Sequence, residues 1–249
     1  MSLDLNDILS GWEHQPGSLQ VRRIEGSDGK PKIQLRLDLG ILQFELNGRP
    51  DGTEPYGMES LFDFHQQRAK EAESAGGEFE LTADEVGDLQ TEGIQYYHRY
   101  VALFQLADWH SVARDTRRNL DMFTFVEKYA PDDEMAWSVQ QFRPYVLMMN
   151  TRAKASLALE KDDLEAAIGL VEKGVSNIQK FIRDSGDAEQ LKDNVEVSSL
   201  REWMKELKKK RKATPEDKLR KEMAAAIKAE QYERAASLRD EIRALQKKS

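Results

Sequence analysis

Residues 215–248 read PEDKLRKEMAAAIKAEQYERAASLRDEIRALQKK. Leu219, Met223, Ala226 and Ile227 recur at helical spacing, and so do Ala235, Leu238, Ile242 and Leu245. Each set makes one apolar face of a helix. Glu230-Gln231-Tyr232 breaks the pattern between them, which predicts two short antiparallel helices joined by a tight turn, with Tyr232 capping the open end of the seam. Ala235 and Ala236 let the two backbones approach closely. Arg239 and Asp240 fall off the apolar face, where ion pairs can form. A hairpin of about 30 residues has too little core to be stable alone. It needs the rest of the chain, a second copy or another protein against it.

The core Tyr232-Glu233-x-Ala235-Ala236-x-Leu238-Arg239-Asp240-x-Ile242 resembles the UVR motif, a helical hairpin shared by the excision-repair proteins UvrB and UvrC, by ClpC-type ATPases and by the McsA adaptor. The resemblance is confined to about residues 215–248. It implies a hairpin that pairs with another UVR hairpin, or with itself in a dimer, and that does no chemistry. Leu219, Met223, Ile227, Tyr232, Ala235, Ala236, Leu238, Arg239, Asp240, Ile242 and Leu245 are then the partner-binding residues. On that reading Leu238→Asp abolishes partner binding with little loss of helix. The alternative is a hairpin that only closes this chain's own helical stack.

Composition narrows the rest. The 249 residues allow one or two domains with a real core. There is no cysteine, which excludes disulfides, thiol catalysis and a cysteine-bound zinc of the McsA kind, and fits a reducing cytoplasm. No apolar run approaches the ~20 residues that span a bilayer, and MSLDLNDILSGW does not read as a signal peptide. We therefore expect a cytoplasmic chain with no membrane partner. The net charge of −8 is unevenly placed: residues 201–249 hold 16 lysines and arginines against 9 acids, a net of +7, so the first 200 carry −15. Such an acidic body disfavours direct nucleic-acid binding. Lys205, Lys208, Lys209, Lys210, Arg211 and Lys212 are the candidate phosphate contacts of a DNA-associated repair accessory. The favoured reading of that run is the solvated end of a helix.

Three segments follow in order: a small antiparallel sheet plus helix at 1–80, a helical body at 81–212 and the UVR hairpin at 213–249. The fold expected is mostly α. Leu3 to Trp12 offers a short helix that docks on the body. Leu19, Val21 and Arg23 alternate with polar neighbours, and Lys32 to Leu39 alternate strictly, with Ile33, Leu35, Leu37 and Leu39 on one face. Gly40 reads as a bulge or bend before Ile41–Leu46, and Asn47-Gly48 as a turn. The nearest cover for this sheet is a helix over Met58–Glu73 carrying Leu61, Phe62 and Phe64. The glycine- and proline-rich stretch 48–57 between them reads first as a connector and second as a binding loop using Arg49, Asp51 and Tyr56.

From Leu81 the pattern is helical. Thr82-x-x-Glu85 is a capping box. Ile94, Tyr97, Val101 and Phe104 make a first stripe, and Trp109, Val112, Ala113, Thr116, Leu120 and Phe123 a second. A third helix runs from near Asp133 to about Leu159, with Pro144 kinking or splitting it near Phe142. Leu164, Ala167, Ile168, Val171, Val175 and Ile178 make a fourth stripe. Leu191, Val195, Leu200, Trp203, Met204 and Leu207 belong to a last helix over about 188–210, before a hinge at 213–215. Ala107-Asp108-Trp109, Asp162-Asp163-Leu164 and Glu230-Gln231-Tyr232 echo one another, each followed one turn later by small residues. Helix–short turn–helix units of this kind are tetratricopeptide-like, although the intervals are too unequal for a strict array.

Motifs of chemistry are missing. No Gly-x-x-x-x-Gly-Lys-Ser/Thr cradles a phosphate, no Gly-x-Ser-x-Gly elbow appears, and the nuclease parts of UvrC are not visible. His14, His65, His98 and His110 lie far apart. Asp63-x-His65 and Asp108-x-His110 point to different helix faces, which argues against a shared metal. Paired acids such as Asp132-Asp133 and Asp162-Asp163 stand where helices start. Trp109, Trp137 and Trp203 read as core. We expect no metal, no cofactor and no enzymatic activity. An enzyme built around the 49–56 loop ranks last, because no spacing names a reaction.

Overall fold

Three strands form an antiparallel meander: β1 (Val21–Glu25), β2 (Pro31–Leu37) and β3 (Gly40–Glu45), in the order β1-β2-β3. The structure is a computed structural model and describes residues 4–186, 193–211 and 215–246. Leu191, Lys212 and residues 213–214 of the expected hinge lie outside them. Val21 pairs with Leu35, Ile33 with Phe44 and Leu37 with Gly40. The last pairing corrects the reading of Leu39. Asp38 and Leu39 are the turn between β2 and β3, Gly40 opens β3, and Leu39 is 90 % exposed instead of lying on the apolar face. Strict alternation runs through a two-residue turn without a mark, which is why the sequence hid it.

α1 (Leu5–Leu9) is capped by Asp4 and buries no side chain. Arg22 donates to the carbonyl of Ile8 in its last turn, and Arg36 to that of Trp12 in the segment after it. α2 (Leu61–Ser74) is capped by Ser60. It does not cover the sheet. Ile33, Leu35 and Phe44 pack instead with Tyr100, Leu103, Val112, Met149 and Ala153. Those residues come from α3 (Ala83–Gln105), α4 (Trp109–Tyr129) and α6 (Arg143–Glu160). Phe62 and Ala69 of α2 join a second core with Val86, Leu89, Leu120, Phe125 and Val126. Sequence adjacency suggested α2; the long helices offer the larger apolar surface.

The expected capping box is present, with Thr82 and Glu85 satisfying each other's backbone amides. The expected stripe on α3 is one residue off. Val86, Leu89, Gly93, Tyr96, Tyr100 and Leu103 are buried, whereas Ile94 and Tyr97 are exposed. Both sets have helical spacing and both are apolar, so periodicity alone does not choose between them.

Pro144 does split the third helix. α5 (Asp133–Gln140) ends at Gln141, and α6 begins with Pro144 in its first turn. A proline there lacks the N–H that an unbroken helix would need. Trp137 is exposed rather than core; its ring lies parallel to that of Phe181, with centroids 6.3 Å apart. α7 (Leu164–Asp184) packs on α6 at close range. A Cβ at Gly174 would meet Thr151 Oγ1 at 2.3 Å and its Cβ at 2.9 Å, so only glycine fits this crossing. α8 (Val195–Lys210) follows, and then α9 (Pro215–Lys228) and α10 (Tyr232–Gln246).

The echo read in the sequence is a recurring helix C-cap. Ala107, Asp162 and Glu230 all have a left-handed backbone, at φ of 55°, 57° and 57°. Asp108 N donates to Leu103 O, Asp163 N to Ala158 O, and Gln231 N to Ala226 O. This is the six-to-one bond of a Schellman motif, three times over. Asp108 and Asp163 then cap the next helix through Ser111 N and Ala166 N. The recurrence is a turn and does not by itself establish a tetratricopeptide array.

The chain divides into two compact units, Met1–Met204 and Lys205–Ser249.

Candidate functional site

The C-terminal unit holds the hairpin the sequence pointed to. α9 and α10 run antiparallel across the turn at Glu230. Ala226, Ala235 and Leu238 are buried together, with Leu219 and Met223 half-buried against them, and Ile242 is buried on the same stripe of α10. Ala226 and Ala235, Met223 and Leu238, and Leu219 and Ile242 stand at matching distances from the turn. These residues therefore make the hairpin's own seam. Outside it, Ile227 is 50 % and Tyr232 68 % exposed, and Leu245 and Ala236 are exposed too. Tyr232 flanks the turn and is open to solvent; it does not close the seam. Arg239 donates to Asp240 through Nε at 3.1 Å and pairs through Nη2 at 3.0 Å, both side chains exposed. Arg234 reaches Glu222 across the hairpin at 4.0 Å. Exposed pairs of this kind contribute little to stability, so the seam holds the hairpin and the ion pairs decorate it.

The basic run ends α8. Lys205, Lys208, Lys209 and Lys210 are exposed, and Arg211 is half-buried. Lysines in a last turn complement the negative end of the helix.

The 48–57 loop is tied down by a polar network that sequence reasoning missed. Arg49 pairs with Glu92 at 3.1 Å and donates to Thr53 Oγ1 at 2.7 Å. Asp51 accepts from Thr53 N at 3.0 Å and from Gln95 at 3.2 Å. Tyr56 is 74 % exposed, has a left-handed backbone (φ 53°), and stacks on Phe64 with centroids 4.1 Å apart. Glu92 is buried on α3 and accepts from Leu61 N and Phe62 N at the start of α2 and from Arg118. Burial pushes the Arg118 guanidinium down to about 9. Arg99 grips Asp115 through Nε at 2.7 Å and Nη2 at 2.9 Å, and also donates to Glu45 O and Gly48 O. Arg114 adds Asp115, Asn47 and Leu46 O. Tyr96 lies between the two guanidiniums, 4.9 Å from Arg99 and 4.2 Å from Arg118. Arg99 and Arg114 thus hold the end of β3 and the start of the loop against α3 and α4. Their charges are taken up internally, so the arrangement braces the connector. No single residue type or spacing marks such a network, because its members are far apart in sequence.

Trp203 of α8 carries Arg152 over its ring, and Trp109 packs edge-on against Phe104. Among the described residues no group of histidines and carboxylates could hold a metal ion, and no helix is long and apolar enough to cross a membrane.

One cavity of about 440 Å³ opens in the N-terminal unit between α3, α4, α5 and α6. Gly93, Met122 and Phe123 lie at its inner side, and Ile94, Tyr97 and Phe142 are its exposed members. Phe142, Tyr145 and Val146 of its lining flank Pro144, where the third helix breaks.

No curated protein and no solved structure matches the chain. One family model does, described as the UvrB/uvrC motif, over residues 217–248. That segment coincides with α9 and α10. The C-terminal segment of this chain therefore matches the UVR motif, which is known from UvrB/UvrC and Clp-type proteins and mediates protein interactions there.

Proposed function

We propose that this chain is a non-enzymatic adaptor whose UVR hairpin pairs with a UVR hairpin on another protein or on a second copy. The observation that carries the reading is the motif at 217–248 together with what its helices leave outside the seam. Ile227, Tyr232 and Leu245 are large apolar side chains on a small unit. A hairpin with so thin a core gains most from covering them. Ala235, Leu238 and Ile242 support that contact from behind, and Ala236 lets a partner helix come close. The partner classes that the resemblance offers are an excision-repair protein and a Clp-type quality-control ATPase.

The test is oligomeric mass by light scattering over a concentration range, on the full chain and on a chain ending at Thr214. Pull-down with full-length bait and with its Tyr232→Glu variant follows. A mass that doubles only with the hairpin present means self-pairing. A monomer in both, with a UVR-bearing protein captured by the full-length bait and lost with Tyr232→Glu, means pairing with another protein. No self-association and no Tyr232-dependent capture sinks the adaptor reading.

A second reading rests on the exposed lysines of α8. They would clamp phosphates in a DNA-associated accessory. Binding would then fall steeply with salt.

A further inference from the structure

We infer that the cavity between α3 and the α5–α6 break is a binding site for an uncharged small molecule with an apolar body and one hydrogen-bonding end. The inference is independent of the hairpin reading, because every residue it uses belongs to the N-terminal unit.

Charge is the first argument. A third of this chain is charged, yet no Asp, Glu, Lys or Arg lines the cavity. An ion placed there would lose its hydration with no opposite charge to replace it. A neutral ligand meets no such cost. At about 440 Å³ the space falls among ordinary small-ligand cavities, about 300–1,000 Å³.

The polar end is the second. Tyr97, Tyr100 and Tyr145 meet at one side of the cavity. The rings of Tyr97 and Tyr100 stand edge to face with centroids 5.6 Å apart, and those of Tyr97 and Tyr145 are 6.0 Å apart. Tyr100 is buried, Tyr145 is half-buried and Tyr97 is exposed. Among the described residues none of the three hydroxyls makes a hydrogen bond. Burial, and the phenols beside them, push the Tyr100 and Tyr145 hydroxyls up. They stay protonated and act as donors. Burial holds His98 down, so its imidazole is neutral near pH 7. The polar end thus presents uncharged donors, which suit a carbonyl or hydroxyl oxygen.

The apolar end is built from Ile94, Met122, Phe123, Val139, Phe142 and Val146. Two features of the backbone shape its wall. Pro144 interrupts the helix, so Phe142 stands at a junction instead of inside a continuous ridge. Gly93 lacks a side chain; a Cβ there would meet Met122 Cε at 2.8 Å.

The probe is prodan, a neutral naphthalene with a propionyl carbonyl, titrated with the full-length protein and followed by its emission. We expect saturable one-to-one binding with a blue shift. Ile94→Trp, which fills the mouth, weakens binding at least ten-fold. The Tyr100→Phe/Tyr145→Phe pair keeps the volume, weakens binding about five- to ten-fold and moves the emission further to the blue, since the carbonyl loses its donors. Far-UV circular dichroism establishes that each variant is folded, and the double Phe variant decides the matter should Ile94→Trp not fold. Binding that does not saturate overturns the inference. So does equal binding by wild type and both variants. A groove reserved for a partner's side chains gives the first of these results.

Discussion

Asp115→Asn is the sharpest test of what holds the N-terminal unit together. Asp115 is fully buried, accepts two hydrogen bonds from Arg99 and one from Arg114, and is nearly isosteric with asparagine. The substitution removes the charge and leaves the shape. Arg99, itself buried, then has no counter-charge, and the asparagine amide turns a donor toward a guanidinium. Breaking one side of a buried pair costs about 3–5 kcal/mol. With a urea slope of roughly 2–3 kcal/mol/M for a unit of this size, the midpoint falls by more than about 1 M. All four tryptophans, Trp12, Trp109, Trp137 and Trp203, precede residue 205, so tryptophan fluorescence reports this unit and not the hairpin. Replacing both partners, Arg99→Met with Asp115→Leu, restores part of the loss, because an apolar pair carries no stranded charge. It does not restore all of it, since Glu45 O and Gly48 O lose their donor at about 1–3 kcal/mol each if left unpaired. A midpoint shift under about 0.3 M for Asp115→Asn refutes the reasoning, because it means the charge was never carried by that carboxylate.

Gly174→Ala costs about 1–3 kcal/mol by the same fluorescence assay, since Thr151 must move to admit a methyl group. His65 is buried, and burial holds its pKa below the usual value, so the unfolded chain takes up the proton more readily. Its contribution is full above about pH 6.5 and is lost as pH falls through the folded value. Subtracting the pH profile of His65→Gln from wild type between pH 7.5 and 5 gives a difference that shrinks toward acid; a flat difference contradicts the sign. Leu238→Asp, placed in the buried seam, melts the hairpin: far-UV ellipticity falls by about the share of α9 and α10 while tryptophan fluorescence is unchanged. Tyr232→Glu and Ile227→Glu keep the ellipticity and lose partner capture, and equal capture by wild type argues that the exposed edge is not the contact. Lys209→Glu/Lys210→Glu leaves capture intact, and a duplex DNA shift assay at low salt shows no complex; a salt-sensitive complex favours the phosphate clamp.

Much of the architecture was legible because local chemistry dictates it. Thr82 and Glu85 cap α3 without help from elsewhere, and Pro144 breaks a helix in any context. The hairpin was legible for the same reason: a polar turn between two apolar stripes. What failed was anything that two distant segments decide together. Whether Tyr96 or Tyr97 faces inward depends on what packs there, and the sheet's cover depends on which helices are long enough to reach it. The network of Glu92, Arg99, Asp115 and Arg118 reads as ordinary helix-surface charge until β3 and the loop after it lie across those helices. The cavity was invisible too, because its lining comes from four helices that only the folded chain brings together.

The three Schellman turns make the functional argument more specific than the motif does. At each, a left-handed residue ends one helix, and small or β-branched residues let the next helix fold back: Val112, Ala167 and Ala235, all buried. Local chemistry is therefore the same in all three. The difference lies one layer out. Beside the first turn, Trp109 opens α4 half-buried against the sheet-side core. Tyr232, which takes the corresponding place after the third turn, is 68 % exposed. A large aromatic at that position is covered when another element of the body reaches it. At the third turn no described residue of its own unit covers it. On the proposed adaptor reading, a second hairpin packed on α9 and α10 would supply that missing layer.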